Sequence, residues 1–189
     1  MMQGNLVWSS GDSVQDVDPK SCQDIIKLTE KMQASPATVS DYDRIEQIRN
    51  NSTYGLDDDK LKAVIHYWID VANRELGLNF DIQGVENIQI SKYMEGEKYS
   101  WHTDMFPNKN PVRKLTLNMV LNDDFEGGDF QFSWGSPSLP YKKRVITEDR
   151  LKIPGKILVF PSLYYHRVQP VTKGVRYSLT AWAYGPPFK

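Results

Sequence analysis

Apolar and polar positions follow two different periods along this chain, and the change falls near residue 80. Asp18-Pro19 reads as an N-cap followed by proline at the first helical position. Behind it Cys22, Ile25, Ile26, Thr29 and Met32 return at helical spacing to about Gln33, and Pro36 ends the run. A second helix is predicted from near Leu56, with Asp57, Asp58 and Asp59 at the positive end of its dipole. Leu61, Ile65, Trp68, Ala72 and Leu76 form its apolar stripe, and Gly77 supplies the stop. The polar stretch 37–55 between the two reads as loop. From Phe80 the period shortens to short alternating runs broken by Gly, Pro, Asn and Asp. Strands are predicted at 86–93, 98–104, 113–121, 129–134, 143–147, 156–160, 164–169 and 175–184. This pattern predicts an α+β, mainly β fold: an antiparallel jelly roll with the two helices on one outer face. A single domain over 1–189 is expected, mainly helical over 1–79 and with its β core over 80–189.

Composition narrows the function classes. The 189 residues carry 23 Lys+Arg against 24 Asp+Glu, a net charge of −1, which lacks the basic excess of a dedicated nucleic-acid binder. No apolar run approaches the roughly 18 residues of a membrane-spanning helix. No basic region followed by an apolar stretch opens the chain, so a cytoplasmic location is expected. One cysteine forms no internal disulfide, and Cys22 on the helical stripe reads as a small buried apolar residue. With three histidines in all, their placement decides the chemistry.

His66 falls on the polar side of the second helix with Asp59, Lys62, Asp70 and Asn73, and reads as a surface residue. His102 and Asp104 sit two apart in a predicted strand, so alternation projects an imidazole and a carboxylate to one face, with Trp101 and Thr103 pointing away. His166, after the apolar strand ending at Phe160 and the turn at Pro161-Ser162, is the remaining candidate ligand. Two histidines and one carboxylate form a facial set that leaves open positions on a non-haem Fe(II) ion. Ten residues on, Arg176, Ser178 and Thr180 share one face of the last strand, placing a guanidinium and two hydroxyls on one wall. A guanidinium can grip a carboxylate with two parallel charge-assisted hydrogen bonds.

In this order, His102-x-Asp104, His166 and Arg176 resemble the Fe(II)/2-oxoglutarate-dependent oxygenases. The sequence is most similar to the prolyl-4-hydroxylase-like branch that includes the PKHD-type hydroxylases. Supporting stretches are Tyr93-Met94-Glu95-Gly96-Glu97-Lys98-Tyr99, Leu121-Asn122 leading into Gly127-Gly128-Asp129-Phe130, and Gly155-Lys156-Ile157-Leu158-Val159-Phe160-Pro161. The resemblance covers about residues 85–184 and implies a cupin-like double-stranded β-helix. It implies that His102, Asp104 and His166 bind Fe(II), and that Arg176 pairs with the distal carboxylate of 2-oxoglutarate. Tyr93 matches a position that contacts the cosubstrate in this branch, Thr180 a second polar contact in some members, and Ser178 shares their wall.

The resemblance further implies use of O2, with ascorbate as a reductant, and release of succinate and CO2 as an unactivated C–H bond is hydroxylated. Asp104 favours hydroxylation over halogenation, because halogenating members replace that carboxylate. Trp182 stands where the nucleic-acid demethylases of the superfamily carry a second arginine. A peptide or protein substrate, with a prolyl residue as target, is expected, and neither nucleic acid nor a membrane. A free amino acid or small metabolite is the alternative substrate. From another class comes a metal-holding jelly roll without enzymatic activity, which would have no use for a carboxylate clamp facing its metal. The segments 105–111 and 134–141 are expected to form the rim of the site.

Overall fold

The computed structural model describes residues 7–9, 16–36, 48–106, 108–134 and 144–188. Strand β1 (Trp8–Ser9) precedes helix α1 (Pro19–Thr29), β2 (Ser35–Pro36) and β3 (Ser52–Leu56). Helix α2 (Asp59–Glu75) follows, then β4 (Gly84–Val85), β5 (Ile88–Tyr93), β6 (Tyr99–His102), β7 (Val112–Val120), β8 (Phe125–Gly127) and β9 (Phe130–Trp134). The chain ends through β10 (Arg144–Thr147), β11 (Ile157–Pro161), β12 (Tyr165–Val168), β13 (Val171–Gly174) and β14 (Arg176–Gly185). The larger sheet runs β1-β11-β7-β14-β5-β3-β2, with β4 also paired to β14. A smaller sheet runs β10-β9-β12-β6, and β13 pairs with β8. Every paired strand is antiparallel.

Alternation along the strands of the large sheet separates two environments. Ile88 and Ile90 of β5, Leu115, Leu117 and Met119 of β7, Ile157 and Val159 of β11, and Leu179, Ala181 and Ala183 of β14 face one side. There they meet Cys22 and Ile25 of α1 and Ile65, Ile69 and Ala72 of α2, so both helices cover one outer face. The intervening residues face the smaller sheet. Leu158, Phe160 and Tyr93 join Phe130, Phe132 and Val168 in a second apolar cluster. Arg176, Ser178, Thr180, Asn118, Thr116 and Ser91 are the buried polar members of the same inward series. A sheet covered by helices on one face and by a second sheet on the other is the jelly roll expected from the strand pattern.

All eight predicted strands are present, with ends shifted by a few residues. The stretch 37–55 is a different matter. Residues 37–47 lie outside the described residues, but Ser52–Leu56 is a strand of the large sheet, registered Tyr54 to Ile90 on β5. Apart from the terminal Leu56 its residues are polar or small around one buried side chain, Tyr54, so the sequence offers almost no alternation to see. The part before residue 80 is therefore less purely helical than expected: β1 and β3 are built into the sheet.

Helix α2 starts at Asp59 rather than Leu56, because Leu56 closes β3 and Asp58 takes the N-cap, accepting from the Leu61 N–H at 2.8 Å. Helix α1 stops at Thr29, short of Gln33, its N-cap Asp18 accepting from the Ser21 N–H at 3.0 Å. Gly77, with φ +67°, ends the second helical segment as expected. No described helix is long and apolar enough to cross a membrane.

Candidate metal centre

Residues His102 and His166 are direct cross-strand partners, one on β6 and the other on β12. Facing residues on adjacent strands bring their side chains within contact, and the two imidazole centroids lie 4.2 Å apart. Asp104 reaches the same point by a route that differs from simple strand alternation. Strand β6 ends at His102, and the Asp104 and Met105 N–H groups donate to the Ser162 carbonyl at 2.9 and 3.0 Å. The turn after β11 thus pulls the carboxylate inward. Because the strand has ended, Thr103 does not point away as expected; it lines the cavity. Trp101 lies under the Arg167 guanidinium, 4.5 Å from its ring centre.

One ligand atom from each of His102, Asp104 and His166 falls within 4.8 Å of the others. His102 Nε2 is 3.6 Å from Asp104 Oδ1, and His166 Nε2 is 3.4 Å from Asp104 Oδ2. Neighbouring ligand atoms on a metal with bonds of roughly 2.1 Å stand about 3 Å apart, so a small inward adjustment would seat an ion. Each Nδ1–H donates to the carbonyl two residues earlier, His102 to Ser100 at 2.8 Å and His166 to Tyr164 at 2.9 Å. That contact fixes the tautomer that aims the Nε2 lone pair at the shared point.

Burial, followed by the neighbouring His166 imidazole, holds the His102 imidazole down to about 4, so it is neutral and available as a ligand at neutral pH. Burial pushes the Asp104 carboxyl up, but the two imidazoles beside it outweigh that and keep it well below the usual carboxylate range. Asp104 is further held by the Thr116 hydroxyl, which donates to Oδ2 at 2.9 Å. Thr116 Oγ1 also lies 2.9 Å from Ser162 Oγ. Since Thr116 has one hydroxyl proton and gives it to the carboxylate, Ser162 donates to Thr116. Tyr99 stacks on His102 at 3.5 Å, and Phe130 on His166 at 5.4 Å.

Arg176 lies on the inner face of β14, registered opposite Tyr93 and 1% exposed. Its Nε, Nη1 and Nη2 find no hydrogen-bond partner among the described residues. Desolvation lowers its pKa against the pull of Tyr93 and Asp129, yet among the described residues no carboxylate pairs with it. A buried guanidinium with every nitrogen unpaired is costly, and it is the feature expected of a side chain waiting for an anionic ligand. Gly128 (φ +62°) keeps room for it: a Cβ there would lie 2.9 Å from Arg176 Cδ.

A cavity of about 250 Å³ opens over these groups. Tyr93, Ser178 and Thr180 line it with the His/Asp set, as the shared-face argument expects, while Arg176 lies beside Tyr93 without lining it. Thr180 accepts from Asn118 Nδ2 at 2.9 Å, leaving Asn118 Oδ1 unpaired among the described residues, as is Trp182 Nε1. Phe106 and Lys109 of the segment 105–111 line the cavity; Pro107 and the segment 135–141 lie outside the described residues. His66 is a surface residue 3.3 Å from Asp70. Cys22 is fully buried, its thiol pushed up to about 11 by burial.

A profile of the 2OG-Fe(II) oxygenase superfamily matches residues 88–184, a stretch holding His102, Asp104, His166 and Arg176. The chain belongs to that superfamily. It is 34% identical over 106 residues to a PKHD-type hydroxylase of Synechococcus sp. (strain CC9902), covering 53% of this chain and 42% of that protein. It is 35% identical over 101 residues to one from Idiomarina loihiensis, covering 52% and 42%. The matches thus span less than half the length of these curated relatives.

Among solved structures, a prolyl-4-hydroxylase of Pseudomonas putida superposes with a TM-score of 0.70 at 17% identity, covering 97% of this chain and 93% of that one. A prolyl hydroxylase of Trichoplax adhaerens, in complex with a hypoxia-inducible-factor peptide fragment, superposes with a TM-score of 0.66 at 20% identity, covering 95% and 84%. These two likenesses concern the fold. The donor set fits Fe(II), and the orphaned Arg176 beside it fits a dicarboxylate cosubstrate.

Thr116, Ser162, Tyr99, Asn118 and Arg49 were not singled out by the sequence. A signal existed for two of them: Lys114, Thr116 and Asn118 are the polar positions alternating with Leu115, Leu117 and Met119 on β7.

Proposed function

We propose that this chain is an Fe(II)- and 2-oxoglutarate-dependent hydroxylase acting on a peptidyl-prolyl residue. Arg176 carries the reading: a fully buried guanidinium without a partner among the described residues, on the inner face of the larger sheet, which faces the smaller sheet that carries His102 and His166. In this reading His102, Asp104 and His166 hold the iron, and Arg176 holds the distal carboxylate of 2-oxoglutarate. Tyr93, Ser178 and Thr180 form the polar wall along which the cosubstrate lies. When bound, the pair of groups couples decarboxylation of 2-oxoglutarate by O2, giving succinate and CO2, to hydroxylation of an unactivated C–H bond.

The protein's part is positional. The Ser100 and Tyr164 carbonyls orient the two imidazoles, and the Ser162–Thr116 hydroxyl chain orients Asp104. Phe130, Phe132 and Phe160 surround His166 and exclude water from that side of the centre. Held by His102, Asp104 and His166, an iron ion would keep positions free for the cosubstrate and O2, and ascorbate would serve to keep it reduced.

The hydroxylase reading is supported by the PKHD-type relatives, and the prolyl target by the prolyl hydroxylases that share the fold. A single buried thiol supports a reducing, cytoplasmic setting. A panel of prolyl peptides and free amino acids, read by succinate formation and by product mass, tests the proposal. A prolyl peptide gaining one oxygen atom in step with succinate is the expected result. Prolyl peptides that bind without gaining oxygen, while a free amino acid does gain it, would replace the substrate.

A further inference from the structure

The cavity is lined by a buried guanidinium that the iron and the cosubstrate do not use. Arg49 is 7% exposed and lines the cavity wall just before β3. Its backbone bridges to Tyr99, and the Asn50 side chain accepts from the Lys98 N–H at 2.8 Å, fastening this segment to the strand that carries His102. The guanidinium lies 4.4 Å from the centre of the Tyr99 ring, which itself stacks on His102. Arg49, Tyr99 and His102 form a continuous stack leading to the metal-ligand set.

Among the described residues the partners of Arg49 are all neutral. Nε donates to Asn51 Oδ1 at 2.8 Å and Nη2 approaches Ser91 Oγ at 3.5 Å, a hydroxyl that also accepts from Gln89 at 3.0 Å. Arg113, on the same cavity wall, shows the contrast: Glu86 grips it through two hydrogen bonds of 2.7 and 2.6 Å, while it packs 3.9 Å from the Trp182 ring centre. Asp104 is the sole acid among the described lining residues, and it is committed to the two imidazoles and Thr116. Burying a guanidinium against neutral groups costs free energy that a carboxylate partner would recover. The two carboxylates of 2-oxoglutarate are already assigned, one to the metal and one to Arg176. A further anion must therefore come from the primary substrate.

We propose that Arg49 anchors a carboxylate of the primary substrate, so that the hydroxylated residue carries an acid group close to its target carbon. This rests on the oxygenase reading above and specifies its substrate class. Two sources share this chemistry: the α-carboxylate of a free or C-terminal prolyl residue, and the side chain of an acidic neighbour in a peptide.

Matched acid and amide pairs distinguish them. L-proline against L-prolinamide, N-acetyl-L-proline against its amide, and an Asp-Pro-Gly amide against Asn-Pro-Gly amide are titrated calorimetrically into protein loaded anaerobically with Mn(II) and 2-oxoglutarate. In at least one pair the acid should bind about tenfold or more tightly than the neutral partner, as expected for a charge-assisted contact. The discriminating pair identifies the source. Arg49→Gln should erase that preference, Arg49→Lys should keep part of it, and 2-oxoglutarate binding should change less than about twofold in either variant. A thermal melt of both variants establishes that they are folded, and the charge-retaining variant decides the matter if Arg49→Gln is not. Equal binding or no binding in every pair, a preference that survives Arg49→Gln, or a matching loss of 2-oxoglutarate affinity would each overturn the proposal. Failure of the wild-type protein to bind 2-oxoglutarate at all would sink the oxygenase reading instead.

Discussion

Replacing Thr116 by valine removes one hydroxyl from beneath the metal-ligand set and changes little else in shape. Thr116 is fully buried and donates to Asp104 Oδ2 at 2.9 Å, while itself accepting from Ser162. A hydrogen bond to a charged acceptor contributes about 1.5–3 kcal/mol, and the variant also strands the Ser162 hydroxyl. For a chain of this size, 1 kcal/mol corresponds to roughly 2–4 °C in Tm, so the metal-free variant should melt about 3–12 °C lower. Groups that orient a metal-ligating carboxylate commonly change metal affinity by about 10–100-fold, and a weakening in that range is predicted for Fe(II) or Mn(II). The assay is an anaerobic metal titration of wild type, Thr116→Val and Thr116→Ser, with melting curves alongside. Serine retains the hydroxyl and should keep most of the metal affinity while losing the packing of one methyl group. If Thr116→Val binds metal within about threefold of wild type, the hydroxyl does not orient Asp104 and the reasoning fails.

Further outcomes follow from the same geometry. His102→Ala and His166→Ala should each abolish Fe(II) binding in the anaerobic titration, because a two-ligand remnant cannot hold the ion against water; wild-type-like affinity in either variant would remove that histidine from the set. Arg176→Met removes a buried charge that has no partner among the described residues, so the cosubstrate-free protein should be as stable as wild type or more so. The same variant should lose the thermal stabilisation that 2-oxoglutarate gives to metal-loaded wild type, and its 2-oxoglutarate affinity should fall at least about 100-fold, the scale of a lost bidentate contact. The Cys22 thiol, fully buried and pushed up to about 11, should stay unmodified by an aromatic disulfide reagent at pH 8 until urea unfolds the chain.

The strands of the larger sheet were legible because helices cover one face and polar residues punctuate the other. In β14 that contrast is written directly as Arg176, Ser178 and Thr180 between Leu179 and Ala181. Strand β3 was not legible, since its pairing with β5 is a long-range backbone contact and only Tyr54 is buried. The three metal-ligand candidates were visible as residue types in order, but the reason for the position of Asp104 was not. It depends on two N–H groups meeting the Ser162 carbonyl, a contact between segments nearly sixty residues apart. Arg49 was hidden for the same reason. Its proximity to His102 exists only through the stack on Tyr99.

In the proposed function a 2-oxo acid is chelated by iron held on His102, Asp104 and His166, with its distal carboxylate on Arg176. Anaerobic addition of Fe(II) and then 2-oxoglutarate to the purified protein, followed by visible absorption, tests it most directly. A weak charge-transfer band that saturates with both components in wild type, and needs far more 2-oxoglutarate in Arg176→Met, is the predicted result. Metal-loaded, folded protein that never develops the band would contradict the account.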